Sequence, residues 1–373
     1  MNFKSIMLAA AATAAAATTS QAADLPVAAE PVDYVKVCDA YGSRFYYIPG
    51  TDTCLRVGGR VRVQYTANDF SDGGNWGDSS ADGYGAYGRG YLYLDSRTAT
   101  EFGLLRTFTE FSGRSDTGFS LGAAYVQFGG FTFGYATSNF DYFTGTSYIG
   151  VAGRNWSDTT VEQVAYTQAF GNGFSATVAL EDAADRQVGD YDGVRYPDLV
   201  AKLRVDQGWG SAQLMGALHN TNVTGQDSEF GFAVGGGVTF GLPMISEGTE
   251  LAFQAVYVDG ALSYIAVGDE YTVNGVDVSI SDAANGDTSS GYALGAGLYH
   301  QATATVGLAL DGSYADIETG DDLDLTRYAV NGSVQWEPVS GLSLGANLGY
   351  SNVEIDSQDE DALLAAFRVQ RTF

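Results

Sequence analysis

The chain has 373 residues, is rich in Gly (49), Tyr (24) and Phe (20) and poor in Pro (6), and carries a formal charge of -27. Its mean hydropathy is near zero (-0.06), and beyond the first segment no apolar run reaches the ~18 residues of a helical membrane span. That excludes helical spans but not a membrane barrel, whose alternating faces average to such a value.

The first segment reads as an export signal. Lys4 supplies the positive start, Ile6 to Ala17 is a short apolar core, and Ser20-Gln21-Ala22 is a small-x-small cleavage site. Residues 1–22 are therefore expected to be a signal peptide, with the mature chain starting at Ala23. A membrane-anchoring helix is the competing reading; it is too short and wrongly flanked. Residues 23–54 follow as an N-terminal periplasmic segment with two cysteines, Cys38 and Cys54. An exported chain meets an oxidising compartment, so the pair suggests a disulfide. Zinc binding lacks partners, because His219 and His300 are the only histidines and neither is near in sequence.

From residue 55 to 373 the pattern is alternation of apolar and polar residues. It predicts strands at 55–66, 87–97, 100–112, 118–128, 131–137, 160–170, 173–182 and 196–206, then at 210–220, 229–240, 249–260, 289–300, 303–315, 325–337, 341–352 and 362–373. Runs of about ten residues suit a tilted strand crossing a bilayer, and an even count suits closure. The expected fold is all-β: a sixteen-stranded antiparallel transmembrane β-barrel. Short connections carry turn residues, Gly129-Gly130, Gly171-Asn172-Gly173, Gln207-Gly208 and Glu337-Pro338, and alternate with long loops. Asn274-Gly275 in the loop 261–288 signals a hairpin whose arms, Glu270 to Val273 and Val276 to Ile280, are too short to span a membrane. Outward faces end in aromatic pairs such as Tyr328 and Trp336 or Phe230 and Phe240, as expected of two interfacial girdles. A soluble sandwich would explain the alternation, but less well the even spacing and the signal segment.

Charges separate by place. Segments 67–86, 261–288, 316–324 and 353–361 hold nineteen acidic residues and no Lys or Arg. Solvated surface is the simple reading. Divalent cations shared with anionic lipid are the sharper one, with Asp321, Asp322 and Asp324 as oxygen donors, but no calcium-loop pattern is present and no metal site is assigned. Arg56, Arg60 and Arg62 share one face of the first strand and oppose Leu55, Val57, Val61 and Val63; Arg89 and Arg97 oppose Leu92 and Leu94. An Arg facing lipid at mid-depth costs ~2–4 kcal/mol, so these rows are expected to face the lumen, with Lys202, Arg204 and Arg368. Arg371 falls on the lipid parity close to the strand end, where the cost is small. Arg106 breaks the rule by sharing parity with Phe102, Leu104 and Phe108, which requires a bulge or a different register.

The loop 138–159 is aromatic rather than acidic (Phe140, Tyr142, Phe143, Tyr148, Trp156), so it seeks burial. Folded into a lumen too wide for side chains to fill, it would set Asp141 and Asp158 opposite the wall arginines and create a constriction with a transverse field. Packing on top of the barrel or against a neighbouring subunit is the alternative.

Several stretches are similar to the general porins of the alphaproteobacterial outer membrane. They are Val37-Cys38-Asp39-Ala40-Tyr41-Gly42, Tyr47 to Gly59, Gly130-Phe131-Thr132-Phe133-Gly134, Pro197 to Val200, Trp209 to Ala212 and the terminal Phe367 to Phe373. The resemblance implies a homotrimer of barrels, each with an infolded third loop, that passes small hydrophilic solutes by passive diffusion across the bacterial outer membrane. It implies an eyelet of Arg60, Arg62 and Arg89 on the wall with Asp141 and Asp158 in the loop, to which Arg106 is a weaker addition. Phe373 matches an assembly signal. Outer-membrane lipid and lipopolysaccharide are expected neighbours; no cofactor and no nucleic-acid partner is expected. The acidic loops suggest a mild cation preference. A substrate-specific channel for a sugar or an anion, lined by the aromatics of 138–159, is the competing function. Catalysis is not expected, since neither His219 nor His300 neighbours an obvious nucleophile in sequence.

Overall fold

The computed structural model describes residues 36–71 and 74–373. The export signal 1–22 and its cleavage site lie outside the described residues. Sixteen long strands close into an antiparallel barrel. They are β1 (Cys54–Ala67), β2 (Tyr84–Thr100), β3 (Gly103–Arg114), β4 (Gly118–Phe128), β5 (Phe131–Thr137), β6 (Thr160–Gly171), β7 (Phe174–Glu181) and β8 (Asp198–Gln207), followed by β9 (Gly210–Thr221), β10 (Glu229–Gly241), β11 (Glu250–Asp259), β12 (Ser290–Gln301), β13 (Val306–Glu318), β14 (Asp324–Val339), β15 (Leu342–Ile355) and β16 (Gln358–Thr372). Each strand pairs with its sequence neighbours, and β16 returns to β1 through partners from Arg60↔Thr372 to Ala67↔Ala365. Closure leaves no sheet edge to be satisfied in a medium without water.

The seam ends on the last residue. Phe373 exchanges both backbone hydrogen bonds with Gly59, at 3.0 and 3.1 Å. A Cβ on Gly59 would stand 2.8 Å from the Phe373 ring, so only glycine leaves room there.

Two departures from simple alternation are informative. Between β3 and β4 the register shifts, with Glu110 opposite Ala123 and Phe111 opposite Leu121, so Gly122 is the extra residue of a bulge. Between β14 and β15 the register shifts again from Trp336 to Val339. Glu337-Pro338 thus lies in the irregular end of a strand rather than in the turn, which falls at Ser340-Gly341, where Gly341 has φ 77°. A proline without an N–H is tolerated at such an irregularity.

The N-terminal segment is stapled by the Cys38–Cys54 disulfide. Tyr46–Tyr47 pairs with the start of β1, and Phe45 is buried with the two cysteines. Arg56 and Arg97 approach the Phe45 ring to 5.0 and 4.9 Å, so the segment packs against the lumen face of β1 and β2. The short hairpin Glu270–Val273 with Val276–Ser279 forms a sheet of its own, separate from the barrel sheet, and buries Val273 in the core. A tight turn at Asn274 (φ 52°) and Gly275 (φ 74°) joins its arms.

Candidate pore constriction

The loop 138–159 runs inside the barrel, and polar side chains of the inner wall hold its backbone. Phe143 N donates to Gln254 Oε1 on β11 (3.0 Å), and Thr146 N and Ser147 N donate to Asp311 Oδ2 on β13 (2.9 and 2.6 Å). Tyr148 N donates to Ser333 Oγ on β14 and Gly150 N to Asn347 Oδ1 on β15, both at 2.9 Å. The returning arm donates from Ala152 N to Asn331 Oδ1 and from Asn155 N to Ser313 Oγ, again at 2.9 Å. An irregular segment removed from bulk water needs such partners for its N–H groups. The wall residues that supply them are the inward members of the alternation.

Inward glycines complete the bed. A Cβ at Gly237 would stand 2.3 Å from the Tyr142 ring, at Gly297 2.7 Å from Phe143, at Gly345 2.4 Å from Tyr148 and at Gly349 2.7 Å from Val151. The wall is bare there because loop side chains occupy the space. The competing placement, on top of the barrel or against another subunit, is thereby corrected.

The loop's aromatics serve as anchors. Phe140, Phe143 and Trp156 are buried, and the Tyr142 hydroxyl reaches Ser211 O (2.9 Å) and Thr239 Oγ1 (3.0 Å). Burial withdraws Phe140, Phe143 and Trp156 from any solute path, while Tyr142 and Tyr148 stay half-buried.

The two loop carboxylates separate. Asp141 is buried: Ser157 Oγ and Thr159 N donate to it, and Arg186 Nη2 stands 3.6 Å away. It ties the base of the loop to the segment 182–197 and does not face the wall arginines, contrary to expectation. The cause is Arg186, a buried cation from a different loop that sequence parity could not connect to it. Burial still holds the Asp141 carboxyl above the usual range despite that partner. Asp158 is exposed on the returning arm.

Arg60, Arg62 and Arg89 stand together on the inner face of β1 and β2, all around one ring. Their guanidinium carbons lie 3.9, 5.6 and 4.7 Å from the centroid of Tyr91. Arg62 donates to Gln370 Oε1, while Arg368 donates to Gln64 Oε1 and to the loop carbonyl of Tyr148, which links this wall to the loop's tip. Below them, buried Asp95 receives Arg56 (3.2 Å), Arg97 (2.9 Å) and Arg106 (2.9 Å).

Arg106 therefore faces inward with Phe108, and no bulge intervenes before it. The irregularity is in β4, at Gly122. The expectation failed because it read Phe108 as a lipid contact. Phe108 instead stacks between Tyr93 (6.4 Å) and Tyr125 (5.4 Å) on the inner face. A signal was available: Tyr91 and Tyr93 share parity with Arg89 and Arg97 in β2.

A buried polar cluster fixes the loops above the wall. His219 Nδ1 is 2.8 Å from Asp198 Oδ1 and its Nε2 is 3.0 Å from the Tyr191 hydroxyl, which donates to Asp282 Oδ2 at 2.7 Å. Tyr264 donates to Asp198 Oδ2 at 2.6 Å, and Leu262 N and Val188 N donate to Asp282. Strands β8 and β9 are thus tied to the segments 182–197 and 260–289. Fully buried, His219 is closed to solutes; His300 shares a hydrogen bond of 3.1 Å with Thr249 Oγ1. Asp321 accepts from Thr319, and among the described residues no group of three or more His, Cys, Asp or Glu is placed to hold a metal.

The closed barrel agrees with what comparison with known proteins shows. The family profile described as Porin subfamily covers residues 24–369. The chain belongs to this porin family. Porin Omp2b of Brucella suis biovar 1 is 31% identical to this porin over 381 residues, covering 94% of this chain and 93% of the relative. Porin Omp2b of Brucella canis is 32% identical with the same coverage. Among solved structures, the outer membrane channel DcaP of Acinetobacter baumannii aligns with TM-score 0.70 at 17% identity, over 88% of this chain and 99% of that one. The anion-selective porin from Comamonas acidovorans aligns with TM-score 0.57 at 15% identity, over 86% and 100%. The porin is a channel protein of the bacterial outer membrane.

Proposed function

We propose that the porin is a general diffusion channel for small hydrophilic solutes and ions, working as a homotrimer and performing no chemistry on what it passes. One observation carries this reading. The inner loop is hydrogen-bonded along β11 to β15, which leaves the arginine-bearing wall of β1 to β3 uncovered by it. Solutes pass between the two. Arg60, Arg62 and Arg89 form the cationic side of the waist, Arg106 extends it, and Asp158 is the exposed carboxylate of the loop. Asp141 acts as an anchor.

The acidic loops and the arginine waist act in opposite senses. Salt screens charges beyond ~8–10 Å, so the waist governs ion preference at physiological salt and the loops gain weight only in dilute solution. The net preference is weak.

Two surface features support assembly in the outer membrane. Phe373 is exposed on the outer face at the closing seam, a position suited to an assembly signal. On the outer face of β2 and β3, Ser96 and Thr107 share a hydrogen bond of 2.6 Å with Thr98 and Thr109 beside them, a small polar spot on an otherwise apolar face that would suit a neighbouring barrel. Elsewhere, exposed leucines, valines and aromatics suit contact with lipid and lipopolysaccharide.

Planar-bilayer recordings under a salt gradient test the waist. Replacing Arg60, Arg62 and Arg89 by Gln removes three positive charges, so the reversal potential should move toward cations. An unchanged potential would count against this placement of the selectivity region.

A further inference from the structure

Four aromatic rings form an oblique row on the inner wall, opposite the bed of the loop. Tyr91 and Tyr93 stack at 6.2 Å and 23°, Tyr93 and Phe108 at 6.4 Å and 17°, and Phe108 and Tyr125 at 5.4 Å and 29°. Three adjacent strands contribute to it, and Tyr93, Phe108 and Tyr125 are only half-buried. A lumen wall in contact with water gains nothing from apolar rings left uncovered.

The row is bordered by guanidinium groups. Arg60 and Arg89 flank Tyr91, and Arg106 lies 5.5 Å from the Phe108 ring and 5.7 Å from Tyr125. Among the described residues Arg60 and Arg62 make no ion pair, and the Nε atoms of Arg60 and Arg89 are buried without a hydrogen-bond partner. Of the carboxylates on this face, Asp95 is held by three arginines and Glu110 stands opposite Tyr93. Positive charge exceeds negative along the whole row.

We propose that this row is a binding track for aromatic carboxylates on their way through the pore. A planar ring extends the existing stack, and its carboxylate accepts from the arginines alongside. Guanidinium groups only donate, so the wall selects an acceptor-bearing anion over a sugar, whose hydroxyls also need acceptors. The track rests on the channel reading and gives it a solute class. Chloride or acetate meets the same charges but cannot use the rings.

Single-channel current in planar bilayers with added benzoate or acetate tests it. Benzoate should produce concentration-dependent partial block at levels where acetate produces none. In the Tyr93→Leu, Phe108→Leu, Tyr125→Leu variant, which keeps apolar bulk, half-block should need roughly fivefold more benzoate. Tyr125→Phe keeps the ring and should retain the block, a check that holds even if the triple variant folds poorly. Equal effects of benzoate and acetate on the wild-type channel would overturn the track, as would a Tyr125→Phe channel that no longer tells them apart. Failure of the wild-type protein to conduct potassium chloride at all would instead overturn the channel reading.

Discussion

Two buried carboxyls, Asp141 and Asp282, show how single residues tie irregular segments together, the first joining the inner loop to 182–197 and the second joining 182–197 to 260–289. Burial pushes both above the ordinary carboxylate range. It outweighs Arg186 at the first, and at the second His219, the Tyr191 hydroxyl and the N–H groups of Leu262 and Val188. A folded-state value above the unfolded one means that the folded protein binds more protons. The stabilising contribution is therefore complete below about pH 4 and is lost as pH rises through the raised values. Hydrogen exchange of the segments 182–197 and 260–289 should show better protection at about pH 5 than at about pH 8, after correction for intrinsic rates. Asp282→Asn should flatten that dependence, and protection that improves with pH would contradict the assignment. Of these residues the sequence showed Asp141 but not its partner. Parity reports which face of a strand a side chain is on; it says nothing about Arg186, which reaches Asp141 from another loop. The arginine rows were legible because placing them in lipid costs so much, whereas the inward rings of Tyr93 and Phe108 were not, since an aromatic residue suits either face.

Strands and hairpins were the most readable elements. Their alternation follows from a wall with lipid outside and water inside, and the Asn274-Gly275 turn named its hairpin directly. Less readable were the irregular places, Gly122 and the Trp336 to Val339 stretch, where one extra residue changes register without changing composition. The disulfide segment is an element of its own. Cys38 and Cys54 are 16 residues apart, and a cross-link of that span contributes ~3 kcal/mol by restricting the open chain. In the Cys38→Ser, Cys54→Ser variant, residues 38–53 should become accessible to protease while the β-sheet circular dichroism of the barrel is unchanged. Equal protease resistance of the variant and the wild type would show that Phe45 and its arginine contacts suffice without the bond.

At the scale of the molecule, closure joins residues that are far apart in the chain. β1 can be completed only by β16, and the last partner of Gly59 is Phe373. The proposed homotrimer would add a second level, with Ser96 and Thr107 of β2 and β3 on the face between barrels. Purified protein in a planar bilayer should close in three equal steps, one per barrel; single-step closure would argue for an isolated barrel. The fold was legible because closure demands an even count and every strand keeps the alternation of a two-faced wall, although strand length runs from 7 residues in β5 to 17 in β2. The waist was only half legible, since where the loop lies depends on contacts made across the lumen.

The glycine bed on β10 to β15 makes the loop and the wall a single heritable unit. A relative that acquires a side chain at the position of Gly345 or Gly237 must carry a smaller group where this chain has Tyr148 or Tyr142. Transplanting the loop alone into such a relative would leave it unseated, whereas moving loop and wall together would carry the bore of the channel with them.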